Sequence, residues 1–417
     1  MTQSPAVRGT GPGRPVHVGE RAARVLTTEL SRHQGAKKAL VVGATPGSPV
    51  LAAAIDALLP GDALTLVPAV TSTPDQLRDH VVALGQWVAQ RVRVVDSLAE
   101  AEPAEVVIAA EPLTGNGEDT RATVDELAKY LTDGGVLSVA VNALPGQTPG
   151  AAGELERQAA LFGVGSDLVL VNRPPIRVHR LRFTPADVRV AARMTPAYRT
   201  SSVPLTRGMH IDSNGVAAAG IALGLAAAAK IIRPRSRFWL LPALAAGPIA
   251  AFFRDPERDI PDDESAIVAA SDGRVLSVQR LRDERFGDGE FLRIAVFLSV
   301  LDVHVNRAPV AGRVVDYFVA DGGFAAAMKP DAEHNVAAYT VLETEHGTVV
   351  VAQRTGLIAR RIVQRAPIGA LLARGERFGL IRFGSRTDVY LPADAAEPLV
   401  GPGDRVIGGS SVIARWR

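Results

Sequence analysis

Between about residues 35 and 171, short runs of consecutive apolar residues alternate with amphipathic stretches. The runs fall at 39–42, 63–67, 92–95, 106–109 and 136–141, with amphipathic segments at 50–59, 74–89 and 120–131 between them. Strands that are apolar throughout and separated by helices predict a parallel sheet covered on both faces, a doubly wound α/β domain. Residues 172–207 carry Pro174-Pro175, Thr195-Pro196 and Val203-Pro204 without a clear period and read as a connection. Two apolar stretches follow, 215–229 and 238–253, with Lys230, Arg233, Arg235 and Arg237 between them. Each is shorter than the roughly 20 residues a membrane-crossing helix needs, and Pro242 and Pro248 interrupt the second, so the pair predicts two short helices lying in one leaflet. From residue 266 onward the pattern changes to short strands at 267–270, 291–298, 313–318, 338–343, 348–352, 377–381, 387–390 and 406–414, punctuated by Gly, Pro and Asp. That texture predicts a mainly antiparallel β domain.

Composition narrows the chemistry. The 417 residues are 47% hydrophobic, enough for two domains with ample cores. Cysteine is absent, which removes disulfides and thiolate metal sites, and the eight His are scattered singly. The formal net charge is only +2, although the sequence pI of 9.0 is basic and compatible with an anionic membrane surface. The first residues lack the apolar segment of a secretory signal, which predicts a cytoplasmic location or the inner membrane face.

The stretch Leu380-Ile381-Arg382-Phe383-Gly384-Ser385-Arg386-Thr387-Asp388-Val389-Tyr390 sets a Gly-Ser bond between two β-prone runs. Alone, the pair reads as a turn. Its chemistry is suggestive nonetheless: Ser385 Oγ can attack the unhindered carbonyl of Gly384 and turn the amide into an ester. Its company is more informative. Phe252-Phe253-Arg254-Asp255-Pro256-Glu257-Arg258 closes the second apolar run, Ser271-Asp272-Gly273 puts a carboxylate on a turn, and Asp302-Val303-His304-Val305-Asn306-Arg307-Ala308-Pro309 brings an Asp and a His two apart on one strand face. From Ile231 onward the chain has a single lysine, Lys329, so a lysine-held pyridoxal phosphate is an unpromising electron sink for amine chemistry.

Over about Arg207 to Arg417 these segments, in this order, resemble the short bacterial and archaeal phosphatidylserine decarboxylases. The resemblance implies that Ser385 becomes a covalent pyruvoyl group (pyruvate as cofactor) by cleavage between Gly384 and Ser385, leaving chains 1–384 and 385–417 associated. It implies decarboxylation of a phospholipid serine headgroup through a Schiff base, with Asp272 and His304 as acid-base partners. Arg307 stands where the long form has a second His, and is a candidate for binding the substrate phosphate or carboxylate. No metal and no nucleic-acid partner is expected, and a homo-oligomer stays open.

The glycine turn Gly43-Ala44-Thr45-Pro46-Gly47-Ser48 and Asp96 after the third strand resemble class I S-adenosylmethionine-dependent methyltransferases. The resemblance implies a cofactor site at Gly43, Gly47 and Asp96. Val41-Val42 and Val67-Pro68 stand where that family usually has carboxylates, which argues for a degenerate domain. The expected organisation is a flexible or helical segment at 1–34, the methyltransferase-like α/β domain at 35–200, apolar membrane-associating helices at 208–253 and the mainly-β decarboxylase domain at 254–417. The expected location is peripheral, on the cytoplasmic side of the cell membrane. Three alternatives remain: another serine-headgroup lipid of the archaetidylserine type, an active methyltransferase half, and a lipoyl-like binding module.

Overall fold

The computed structural model describes residues 17–143, 149–197, 202–206, 208–357, 361–382 and 385–417. The chain divides into two compact units, 1–200 with 369–371, and 201–368 with 372–417.

In the first unit, strands β1 (Lys38–Ala44), β2 (Ala63–Pro68), β3 (Val92–Val94), β4 (Ala104–Ala109), β5 (Leu131–Asn142), β6 (Gly163–Val169) and β7 (Ile176–Leu181) form one sheet in the order β3-β2-β1-β4-β5-β7-β6. The pairs β1/β2, β1/β4, β2/β3 and β4/β5 are parallel, while β7 runs antiparallel to both β5 and β6. Helices α1 (Glu20–Leu26), α2 (Thr28–Arg32), α3 (Pro49–Asp56), α4 (Pro74–Ala83), α5 (Gln86–Ala89), α6 (Gly117–Ala128), α7 (Pro149–Phe162) and α8 (Val188–Ala192) complete it. The order reverses at β1/β4, so this is the doubly wound α/β fold that the run pattern predicts.

Three details depart from the pattern. The helix expected over 74–89 stops at Ala83, because Gly85 takes φ 105° and breaks it into α4 and α5. The region expected as a connection from residue 172 supplies β7, whose buried Ile176, Val178 and Leu181 the period search misses because arginines and a histidine alternate with them. Residues of the 1–34 segment form α1 and α2, and Ala22, Val25, Leu26 and Leu30 join the core that also holds Val41 and Val106. Start signals are local: Ser48 caps α3, and Thr73 with Gln76 makes a capping box ahead of Pro74 in α4.

The second unit opens with β8 (Ser202–Thr206) and β9 (Met209–Asp212), followed by two apolar helices, α9 (Ser213–Ile232) and α10 (Leu240–Phe252). The first apolar helix is longer than the pattern suggests: Asp212 caps it and it runs 20 residues, about 30 Å, long and apolar enough to cross a membrane. Pro242 lies in the first turn of α10, where a missing N–H costs little, and Pro248 is carried inside the helix. Then come β10 (Arg254–Pro256), β11 (Ala266–Val268), β12 (Gly273–Arg282), β13 (Glu290–Leu298), β14 (Val305–Arg307), β15 (Gly312–Ala320), β16 (Ala337–Thr344), β17 (Gly347–Arg354), β18 (Arg361–Gln364), β19 (Leu371–Leu372), β20 (Arg377–Arg382), β21 (Ser385–Pro392), β22 (Ala396–Pro398), β23 (Arg405–Val406) and β24 (Val412–Trp416). An eight-stranded sheet, β19-β15-β16-β17-β21-β13-β12-β23, is the backbone of the unit, with a three-stranded sheet β14-β20-β18 beside it. The mainly-β expectation is met.

Candidate active site

Strand β21 sits inside the large sheet, antiparallel to β13 on one side and β17 on the other. Its first residue is Ser385, paired with Leu298 at the end of β13. Ser385 is fully buried, and its Oγ has no hydrogen-bond partner among the described residues. Gly384 and Phe383 lie outside the described residues, so the expected scissile bond is seen from its serine side alone.

Alternation along β21 separates two polar layers. Arg386, Asp388 and Tyr390 share one face. Asp388 is wholly buried and accepts from Arg354 Nε at 2.8 Å and Arg386 Nε at 2.6 Å, while Arg354 also reaches the Tyr390 hydroxyl at 3.1 Å. Burial opposes ionisation of Asp388, and the two guanidiniums outweigh it, holding the carboxyl below its ordinary value. Ser385 and Thr387 share the other face. Thr387 Oγ1 lies 2.6 Å from Ser271 Oγ, and beside it Gln353, which pairs with Thr387 in register, donates to Asn306 Oδ1 at 2.7 Å. This hydroxyl and amide layer escapes the sequence, since its members come from four separate segments.

His304 reaches this region through a tight turn. After β13, the amide and hydroxyl of Ser299 donate to Asp302 Oδ2 at 2.8 and 2.7 Å, and Arg405 holds Oδ1 at 2.7 Å. The chain then turns into β14, which pairs with β20, and the His304 carbonyl accepts from Ile381 N at 3.2 Å. Ser385, four residues beyond Ile381, pairs with Leu298 at the end of β13, so the start of β21 adjoins the β13–β14 turn. The His304 ring is 2% exposed; its Nδ1 lies 2.9 Å from the Asp302 carbonyl oxygen, and Phe252 packs against it with centroids 4.3 Å apart. A carbonyl can only accept, so Nδ1 carries the hydrogen and Nε2 keeps its lone pair. Burial lowers the ring's pKa to about 4, against the pull of Asp302, leaving a neutral base at physiological pH.

Asp272 stands on the turn between β11 and β12. Gly273 takes φ 151°, and a Cβ there would meet the Phe297 carbonyl oxygen at 2.1 Å, so the turn lies flush against the end of β13. The carboxylate takes Arg258 at 2.8 and 2.9 Å and the Gly408 amide at 2.8 Å. The structure therefore brings Asp272 to the neighbourhood of β21, through Ser271, but its carboxylate is bonded to Arg258 and not to His304. Arg258 lies in the Arg254–Arg258 segment that the sequence singles out, where its pairing with a residue fourteen positions on is not legible. Arg307 is 3% exposed. Its terminal nitrogens donate to the Gly375 and Pro256 carbonyls at 3.1 and 2.8 Å and to Asp255 at 3.1 Å, and Arg377 takes the other oxygen of Asp255. Burial lowers its pKa to about 10, leaving it charged, and three of its N–H donors bond the frame.

In the α/β unit, Gly43 and Gly47 close the turn after β1 at φ 82° and 70°, and the Glu111 side chain approaches Gly43. Asp96 is ion-paired with Arg78 of α4, which also holds Asp75 at 2.7 Å. β2 ends in Val67-Pro68 without a carboxylate.

Among solved structures, the O-methyltransferase TomG from Streptomyces achromogenes and an O-methyltransferase from Bacillus cereus are each 14% identical with a TM-score of 0.29, covering 39% of this chain and 79% and 80% of theirs. The phosphatidylserine decarboxylase family profile matches residues 247–414. The phosphatidylserine decarboxylase proenzyme of Symbiobacterium thermophilum is 50% identical over 182 residues, 42% of this chain and 84% of the relative. That of Carboxydothermus hydrogenoformans is 44% identical over 168 residues, 40% of this chain and 79% of the relative. The matched span holds the orphaned Ser385, the neutral His304 and the Asp272 turn, and with identity this high over most of each relative the chain belongs to the phosphatidylserine decarboxylase family.

Proposed function

We propose that this chain decarboxylates phosphatidylserine to phosphatidylethanolamine and CO2 after cutting itself between Gly384 and Ser385. The observation that carries the reading is Ser385 Oγ, fully buried without a partner among the described residues at the head of an interior strand. An unsatisfied buried hydroxyl costs about 1–3 kcal/mol, and Ser385 differs from Ser138, whose Oγ is likewise without a partner among the described residues, in standing at a Gly-Ser bond.

In self-cleavage, Ser385 Oγ bonds to the Gly384 carbonyl carbon while His304 Nε2 takes the hydroxyl proton. The C–N bond then breaks and the nitrogen accepts that proton, giving an ester. Loss of the Ser385 Cα proton breaks the Cβ–Oγ bond, releasing Gly384 as a carboxylate and leaving an enamine. Its imine tautomer takes up water and loses ammonia. The resulting pyruvoyl group would supply a ketone able to condense with the substrate amine and to accept the electron pair released with CO2. His304, neutral in its apolar setting, is the group that moves protons at this corner, and Asp272 with Arg258 fixes the adjoining turn. Because β21 pairs with β13 and β17 on both sides, the 385–417 chain stays bound to the 1–384 chain after cleavage.

The α9/α10 hairpin contacts the membrane. Its apolar residues Ile221, Leu225, Leu241 and Leu244 are exposed, and Lys230, Arg233, Arg235 and Arg237 ring its tip. Four cations are costly to carry through hydrocarbon, so the hairpin lies in one leaflet with its tip at anionic headgroups, on the cytoplasmic side. The α/β unit is a methyltransferase-like scaffold whose residues do not fit S-adenosylmethionine: the ribose lacks its carboxylate at Val67-Pro68, and Asp96 is engaged by Arg78. Intact-mass measurement on purified protein tests the reading. Two polypeptides are expected, the smaller beginning at position 385 with its amine missing; a single uncut chain that still releases CO2 overturns it.

A further inference from the structure

We infer that Phe252, the last residue of α10, is a positioning residue for His304, so that the exposed apolar hairpin and the proton-moving imidazole are mechanically one piece. The inference rests on the decarboxylase reading and adds to it a dependence of the active corner on the hairpin's surroundings.

Both ends of the hairpin are fastened to the segments that carry the site. At its exit, Phe252 lies 4.3 Å from the His304 ring, tilted by 38°, and is itself held edge-on by Phe253 at 5.0 Å and packed on Leu380. Two residues on, the Arg254 guanidinium donates to the carbonyl of Leu301, in the turn that delivers His304. At its entrance, Asn214 accepts from Arg382 at 2.5 Å, three residues before Ser385, and Asp212 pairs with Arg365 at 2.5 Å. Entrance and exit also touch each other, since a Cβ on Gly215 would sit 2.4 Å from Phe253 Cβ. Between these fixed ends, most of α9 and α10 is exposed apolar surface.

A ring held through Nδ1 to a backbone carbonyl can still pivot about that bond, and the flat face of Phe252 limits the pivot. The same face keeps water from the imidazole. Among the described residues, the charged groups acting on His304 include Asp302 from its own turn and Arg254 from β10; α10 contributes the aromatic face, and β20 contributes Leu380. Tilting α10 as it settles into a bilayer therefore moves the surface against which His304 is set. No residue on α10 other than Phe252 need touch the site.

The test uses the full chain, with Phe252→Ala, Phe252→Leu and Phe252→Tyr. Deuterium exchange at the imidazole C2 position, read peptide by peptide in a mass spectrometer, reports the titration and hydration of His304 without reference to turnover. Turnover is compared on phosphatidylserine/phosphatidylcholine vesicles and on a short-chain phosphatidylserine kept monomeric. Wild type is expected to titrate His304 well below the ordinary value and to favour vesicles severalfold. In Phe252→Ala the His304 midpoint should rise by a pH unit or more, and the vesicle preference should fall within about twofold of unity. Phe252→Tyr should restore both. Phe252→Leu preserves apolar bulk without a flat ring and guards against simple loss of folding; it should behave like Phe252→Ala. His304 titration and vesicle preference unchanged in Phe252→Leu would overturn the inference. Wild-type protein that releases no CO2 from either substrate overturns the decarboxylase reading itself.

Discussion

The two candidate sites, the glycine turn of the first unit and the head of β21 in the second, treat their polar groups in opposite ways. After β3 and β4, Asp96 and Glu111 are at the surface, and Asp96 is taken up by Arg78 in an exposed pair. Around β21, charges and hydroxyls are buried, and several atoms, Ser385 Oγ and Asn306 Nδ2 among them, have no partner among the described residues. Exposed ion pairs are weak and replaceable, whereas a buried group with unused hydrogen-bonding capacity is a standing cost. The difference between the two sites supports the proposal that places the chemistry at β21, although both units have well-formed folds.

The sharpest way to break this contrast is Ser385→Ala, which should abolish both chain cleavage and CO2 release; cleavage persisting at the same bond would refute the assignment. Next, His304→Gln keeps a polar side chain but removes the base, and self-cleavage followed on a gel should slow by at least about a hundredfold. Removing the shared anion of the opposite layer, with Asp388→Asn, leaves Arg354 without the carboxylate it bonds and Arg386 with its longer 3.6 Å pairing to Glu333. Denaturant unfolding should register a loss of about 3–5 kcal/mol.

Acid should also separate the buried from the exposed groups. His304 and His179 each have pKa values lowered by burial to about 4 from 6.5. Folded-state values below the unfolded one mean that the unfolded chain takes up protons first, so stability is complete above about pH 6.5 and declines as pH falls toward 4. The loss is up to about 3 kcal/mol per histidine, and replacing His179 with Leu should flatten the curve measured by denaturant midpoints between those limits. The smallest effect is expected in the α/β unit: Asp96→Ala should leave thermal unfolding unchanged, and calorimetric titration of the full chain with S-adenosylmethionine should give no micromolar binding. Heat at that level would restore the methyltransferase site.

Much was legible in the residues alone. Apolar runs separated by helices specify the α/β sheet because burial on both faces demands them, and closely spaced strands announce the β unit. Gly384-Ser385, Asp272 and His304 stood out because reactive groups were set in ordered company. The pattern failed where tertiary contacts override it. β7 hid behind alternating arginines, and Gly85 cut a helix that amphipathicity alone would continue. α9 extended to 20 residues because its cap at Asp212 is held by Arg365, a residue 153 positions away.

The sequence by itself determined that this chain has a doubly wound half, an apolar hairpin and a β half with a Gly-Ser bond between two β-prone runs, since periodicity and local chemistry suffice for those. Only the tertiary structure decided which groups are spent and which are left over. It bonded Asp272 to Arg258, set donors of Arg307 on two carbonyls and Asp255, placed Nδ1 of His304 on a backbone carbonyl and left Ser385 Oγ without a partner among the described residues. Hydrogen-bond valence and burial belong to the packed corner, where segments far apart in sequence compete for the same few atoms.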